Sequence, residues 1–216
     1  MVSWLIPWQS RIVAWGAIPA PQALELPAVV ESARSKVLEE ENRILRNMLH
    51  IPMASEVAVV ALVLGYELGE STHIVLGKGR NDMVELGAAV VTPEGVLMGR
   101  IIAVHEYTAI ARTILDPQVK FTGAIVQGNT VVNGLVEGVH GVGVRLTLIP
   151  RQDKLQVGDT VITAGEEVGV PRGIPVGTVA AVSEMPGIPL KEAIITPLAS
   201  FHNVVALNIL TSERKK

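Results

Sequence analysis

The chain has 216 residues, 49% of them hydrophobic, with a net charge of −3. That length suits one large or two small domains with a sizeable core. The slight negative charge, with only two Phe and two Tyr, argues against a basic, aromatic-lined nucleic-acid surface. The absence of Cys excludes disulfides, thiolate metal sites and a cysteine nucleophile.

Residues 1–27 are punctuated by Pro7, Pro19, Pro21 and Pro27 and are expected to be irregular. The apolar opening is broken at Pro7, Gln9, Ser10 and Arg11, short of the ~20 apolar residues of a membrane span. It has no basic stretch ahead of its apolar part, so it makes a poor signal peptide. Trp4, Trp8 and Trp15 are all the tryptophans of the chain. Such clustering suits a membrane–water interface; a loose terminus is the alternative.

Residues 28–51 are expected to form a helix that ends at Pro52, since no Gly or Pro falls between Ala28 and Leu49. Ser35, Leu38, Asn42, Leu45 and Leu49 lie on an a/d seam. An Asn at a buried a position, here Asn42, favours a parallel two-stranded register. Val30, Val37 and Ile44 add a second apolar row at heptad spacing. The reading is a coiled-coil-like dimerisation helix; the alternative is a helix lying on its own domain. Glu39, Glu40 and Glu41 point in different directions around it and read as a solvated face.

From residue 53 the pattern becomes that of strands. Some twelve short Val-rich segments alternate with Gly and Pro turns, as in barrels or sandwiches. A core with so few aromatics must be built from Val, Ile and Leu. The clearest segment is Asp153 to Val182: a strand at Val161-Ile162-Thr163, a turn at Pro171-Arg172-Gly173, and a return strand through Val176, Val179 and Val182. An earlier copy runs from Asp82 to Val104. Gly87 and Val90-Val91-Thr92 match Gly158 and Val161-Ile162-Thr163 at a spacing of 71, and Gly99 to Val104 match Gly177 to Val182 at 78. A further match at 80 sets Ile114 to Pro117 and Phe121 against Ile194 to Pro197 and Phe201. A series with growing offset indicates duplicated supersecondary units. The expected modules are residues 53–127 and 128–211, with strand exchange between them left open, and a charged tail at 212–216.

Nothing in this sequence is framed for catalysis. There is no G-x-S-x-G elbow. His50, His73, His105, His140 and His202 lack the i, i+4 spacing of a zinc site. Gly77 to Asp82 lacks the Walker spacing and reads as a hairpin turn. No catalytic residue, cofactor or metal ligand is assigned. Gly95, Gly99, Gly158, Asp159, Pro171, Gly173, Pro175 and Gly177 are assigned as structural turn positions.

Taken in order, these marks resemble a known family. They are Pro7-Trp8-Gln9, Glu41-Asn42-Arg43-Ile44-Leu45, the Gly77-Lys78-Gly79 turn, and Val90-Val91-Thr92-Pro93 with Gly95 and Gly99-Arg100-Ile101. Asp116-Pro117 and Gly158-Asp159-Thr160-Val161-Ile162-Thr163 follow, and Pro171-Arg172-Gly173-Ile174-Pro175-Val176-Gly177 is the most specific. The series is similar to MreC, the rod-shape-determining proteins of bacteria. The resemblance implies a mainly β fold with an N-terminal helix and two small, related six-stranded barrels. It also implies a non-enzymatic scaffold of cell-wall elongation, a homodimer on the extracytoplasmic side of the cell membrane. The implied partners are the elongation-specific penicillin-binding transpeptidase, MreD, RodZ, RodA and the MreB system, with no nucleic acid. The family carries a membrane-spanning helix near its start, and this chain is expected to begin where that helix ends. Where the family has Thr-Ser-Gly, this chain has Thr163-Ala164-Gly165. Two other readings of the residues stand beside it: a periplasmic adaptor-like binding protein, and a cryptic serine hydrolase on a double barrel.

Overall fold

The computed structural model describes residues 30–38, 41, 56–66, 72–128, 130–140, 143–184 and 187–212. The chain divides into two units, Met1–Met53 and Ala54–Lys216. In the first, residues 30–38 (α1) and Glu41 are helical. Val30, Val37 and Leu38 are more than half exposed there. The rest of the expected helix, with Asn42, Leu45 and Leu49, lies outside the described residues.

The second unit holds twelve strands: β1 (Glu56–Tyr66), β2 (His73–Leu76), β3 (Ala89–Val91), β4 (Leu97–Val104), β5 (Ala109–Thr113), β6 (Lys120–Gln127), β7 (Thr130–Val139), β8 (Gly143–Pro150), β9 (Thr160–Thr163), β10 (Pro175–Glu184), β11 (Leu190–Pro197) and β12 (Ala206–Ser212). They close into two six-stranded barrels, one in the order β1-β12-β3-β4-β5-β2 and the other β10-β11-β8-β7-β6-β9. Closure leaves neither barrel with a sheet edge. The mainly β, double-barrel architecture is the one the sequence implies.

Laid on each other, the two cyclic orders correspond strand for strand: β1 with β7, β2 with β8, β3 with β9, β4 with β10, β5 with β11, and β12 with β6. The sixth strands are therefore exchanged. Each repeat supplies five strands to its own barrel and its last strand to the other. The linear modules 53–127 and 128–211 outline the two repeats rather than the two barrels: β6 closes the second barrel between β7 and β9, and β12 closes the first between β1 and β3. The physical reason is pairing. A barrel needs six mutually bonded strands, and β12 brings buried Leu207 and Ile209 to the first core just as β6 brings Phe121 and Ile125 to the second.

The duplication shows in matched backbone hydrogen bonds. Gly87 N–H donates to Ile101 O at 2.9 Å and Gly158 N–H to Val179 O at 2.8 Å. Gly95 N–H donates to Thr92 O and Gly173 N–H to Thr163 O, both at 2.9 Å. Both ladders also slip at the same point, between Ile101 and Ala103 and between Val179 and Ala181. Gly99 sits where a Cβ would come within 2.1 Å of Arg112 O, and Gly177 where one would come within 2.5 Å of Thr196 O. These bulged crossings admit no side chain.

Two sequence expectations are corrected. The match of Ile114–Pro117 to Ile194–Pro197 fails, because the true spacing there is 84: Ala109 corresponds to Ala193 and Ile125 to Ile209. The β10–β11 connection is longer than the β4–β5 one, which carries the offset past 80. Gly77 to Asp82 is not a hairpin turn, since β2 pairs with β1 and β5 and not with β3. It is a 3₁₀ turn at Arg80–Asp82. The Asp82 carboxylate accepts from Lys78 Nζ at 2.6 Å and Gly79 N–H at 3.2 Å, and the Lys78 bond, first, holds it below the ordinary carboxylate range.

Each barrel interior is a buried cluster built mainly of Val, Ile, Leu and Ala. Ala89, Val91, Leu97 and Ile114 of the first repeat pack into the second barrel's cluster, and Phe201 touches both clusters. The two barrels thus share one continuous apolar seam.

Candidate functional site

Of the residues assigned to turns, Gly95, Gly158, Asp159, Pro171 and Gly173 lie in connections between strands, whereas Gly99 lies within β4 and Pro175 and Gly177 within β10, at ladder irregularities that make them crossings and not turns. Gly95, Gly158 and Gly173 take φ values of 84°, 94° and 94°, a region where a Cβ is strained. The Asp159 carboxylate accepts from Gln156 N–H at 2.8 Å and Gln127 Nε2 at 2.6 Å, pinning that turn to the end of β6. Thr163 Oγ1 donates to Pro171 O and accepts from Ile174 N–H at 3.0 Å. Thr163 thereby clamps the Pro171-to-Pro175 turn, which delivers Gly177 to its crossing. Ala164 uses its backbone N–H, on Thr122 O at 2.9 Å, a bond that a serine in its place would also make. These residues build architecture and form no shared pocket.

One polar cluster invites a catalytic reading. His73 and Asp116 are both buried, with Nε2 and Oδ2 3.9 Å apart. The geometry gives them another use. Arg112 Nε donates to His73 Nε2 at 2.8 Å, which occupies the nitrogen a nucleophile would need. Asp116 accepts from Thr72 Oγ1 at 2.9 Å and Gln118 N–H at 2.7 Å. The cluster ties β2 and β5 to the connection that leads into the second barrel. Among the described residues no group of three or more metal-ligating side chains occurs.

The feature that architecture does not require is on β1. Strand alternation aims Ala58, Val60, Leu62, Leu64 and Tyr66 outward. Val60, Leu62 and Leu64 are each about 60% exposed and Tyr66 43%. Across the ladder from Leu62 and Ala58 stand Ala206 and Leu210, and Val205 beside them is 74% exposed. The result is a largely apolar face on a closed barrel, with Asn208 across from Val60 and no charge in the row.

The β1–β12 and β6–β7 registers set Ala58, Val60 and Leu62 against Val131, Asn133 and Leu135 of β7. Beyond them β1 bulges between Val63 and Gly65, which leaves Leu64 without a counterpart and sets Gly65 against Glu137. That carboxylate lies between Lys120 Nζ at 3.1 Å and Arg145 Nε at 2.8 Å, and the Lys120 hydrogen bond, followed by the Arg145 charge, holds it below the ordinary range. The two copies thus share an outward leucine and differ at Val60, which is Asn133 in the second barrel, and past the bulge, where the second barrel has a paired Glu137. Exposed apolar rows of this kind mark interaction sites. Sequence reasoning missed the row because residues 56–66 are apolar on both faces, so periodicity could not say which side chains face out.

These features define a class: a duplicated, strand-exchanged double barrel with an exposed apolar row on β1 and buried polar residues engaged in internal bracing. Comparison places it more narrowly. Residues 66–211 match the family model described as the rod shape-determining protein MreC, barrel core, and the chain belongs to that family. A cell shape-determining protein MreC of Caulobacter vibrioides is 27% identical over 161 residues, 71% of this chain and 44% of the relative. The chain spans less than half the length of the curated relatives it matches. Among solved structures, MreC of Listeria monocytogenes superposes with a TM-score of 0.78 at 24% identity, covering 89% of this chain and 94% of that one. MreC from Helicobacter pylori, solved in complex with a penicillin-binding protein, superposes at 0.60 with 14% identity, covering 74% and 100%. These superpositions speak for the fold.

Proposed function

We propose that this chain is the extracytoplasmic part of a cell-shape scaffold, and that the outward row Val60, Leu62 and Leu64 docks a penicillin-binding transpeptidase of cell-wall elongation. The apolar row carries the proposal. It would be a liability on an isolated barrel, and where it has Val60 its duplicate bears Asn133. The complex known for the Helicobacter pylori relative supports the choice of partner. The protein works by binding, without chemistry of its own, and MreD, RodZ, RodA and the MreB system complete the assembly. In a rod-shaped cell dependent on this protein, removal of residues 56–212 abolishes rod shape; retained shape would count against the scaffold.

The helix extends the proposal. Leu38, more than half exposed, joins Asn42, Leu45 and Leu49 on a seam that pairs two copies in parallel, as uncovered Val30 and Val37 also favour. Leu38→Glu combined with Leu45→Glu yields a monomer in analytical sedimentation with the barrels' circular dichroism unchanged. An unchanged mass sinks the dimer.

A further inference from the structure

Arg100 on β4 and Arg112 on β5 are direct cross-strand partners. Both line one groove of about 320 Å³, with Leu86, Gly87, Ile101, Ile102, Gln118, Val119 and Val168 making up its walls. Like charges placed opposite each other on one face of a sheet repel. The second barrel shows that the fold does not call for them, because the matching pair there is Thr178 and Thr196.

The two guanidiniums differ in state. Arg112 is held in place: Nε donates to His73 Nε2 at 2.8 Å, Nη1 donates to Gln118 Oε1 at 2.6 Å, and Asp116 Oδ2 lies 3.7 Å from Nε. A guanidinium has five N–H donors, so Arg112 keeps donors to spare. Arg100 is half-buried and, among the described residues, its guanidinium makes no hydrogen bond or ion pair. A partly desolvated cation without a counter-charge, facing a second cation, is a site arranged to receive an anion.

The rim narrows the class of anion. Leu86 and Val168 are 68% and 88% exposed on either side, and Val168 belongs to the β9–β10 loop of the other barrel. Gly169 O of that loop accepts Ala89 N–H at 2.8 Å, which fixes the rim against the first barrel. A hydrated inorganic anion gains nothing from such a rim. A carboxylate on a chain with an apolar neighbour uses both parts, and the volume lies at the lower end of the ~300–1,000 Å³ of ligand clefts.

We propose that this inter-barrel groove receives an acidic peptide segment of a partner protein, with a Glu or Asp carboxylate between Arg100 and Arg112 and an apolar side chain against Leu86 and Val168. The site rests on the scaffold reading only in taking its occupant from a partner protein. It is separate from the β1 row.

The test uses the full chain labelled on arginine Nε and followed by NMR, with Arg100→Thr to assign the signals. Titration with the capped peptide Ac-Leu-Glu-Leu-NH2 moves the Nε–H signals of Arg100 and Arg112 saturably. Ac-Leu-Gln-Leu-NH2, and inorganic phosphate at equal ionic strength, bind at least about fivefold more weakly. The Arg100→Thr chain loses the peptide response while its Tm is unchanged or raised, since a repulsive pair has been removed. Unmoved signals with the Glu peptide, or equal affinity for the Gln peptide or phosphate, overturn the proposal. So does a lowered Tm for Arg100→Thr, which would make Arg100 a structural residue. A null titration alongside intact transpeptidase binding removes the groove and leaves the scaffold standing.

Discussion

The first barrel and the second share strand order, bulges, turn bonds and glycine crossings, yet differ on their outer surfaces. Where the second has Asn133 and sets Glu137 between two cations, the first has an exposed Val60 and a Gly65. Where the second pairs Thr178 with Thr196, the first opposes two arginines. Duplication gives an internal control. Whatever both copies keep serves the barrel, and what one copy alone carries at a cost in solubility or stability serves something else. By that measure Gly99, Gly177, Thr92 and Thr163 are architecture, and the β1 row and the Arg100–Arg112 pair are the two features we propose for binding.

The strongest way to break the comparison is to attack the exchanged strands. Ile209 and Ile125 are equivalent, 0% and 1% exposed, and lie in opposite repeats from the barrels they fill. Truncating either to Ala costs about 3 kcal/mol. Strand exchange predicts where the loss falls in native-state hydrogen exchange. Ile209→Ala weakens protection in β1, β3 and β4, far away in sequence, and Ile125→Ala weakens it in β7 and β9. Protection lost mainly in each residue's own repeat would contradict the exchange.

A smaller effect sharpens the polar side of the comparison. Hydrogen bonding from Lys120, with the Arg145 charge, lowers the pKa of Glu137 from its ordinary 4.5. A carboxylate depressed in the folded state stabilises above its unfolded pKa and loses that contribution as pH falls through the folded value. The side chain is largely covered but its partners are half exposed, so screening keeps the contribution to about 0.5 kcal/mol. Wild type exceeds Glu137→Gln in denaturant stability by that amount at neutral pH, and the gap closes as pH drops below about 4.5. A gap independent of pH would assign the effect to packing.

Much of the fold was legible because turns are local chemistry. The Gly and Pro positions at spacings of 71 and 78 mark matching corners, and their hydrogen bonds coincide in space. The exchange was not legible: β6 and β12 are both apolar strands, and nothing in a strand's own pattern names its neighbour. The false match at 80 arose from Ile-rich composition where a longer hairpin had shifted the register. The polar groove was hidden for a similar reason. Arg100 and Arg112 become partners only through a ladder with a bulge between Ile101 and Ala103. His73, which its spacing set apart only as no zinc ligand, is a buried brace.

The measurement closest to the central claim compares equivalent outer residues of the two barrels. Leu62 and Leu135 occupy the same position in β1 and β7. Affinity for the elongation transpeptidase is measured by calorimetry for the full chain, for Leu62→Glu and for Leu135→Glu, with circular dichroism confirming that each is folded. Leu62→Glu weakens binding by at least about tenfold, while Leu135→Glu leaves it within about twofold of wild type. Equal losses, or no loss at Leu62, would contradict the assignment of the first barrel's apolar row as the docking face.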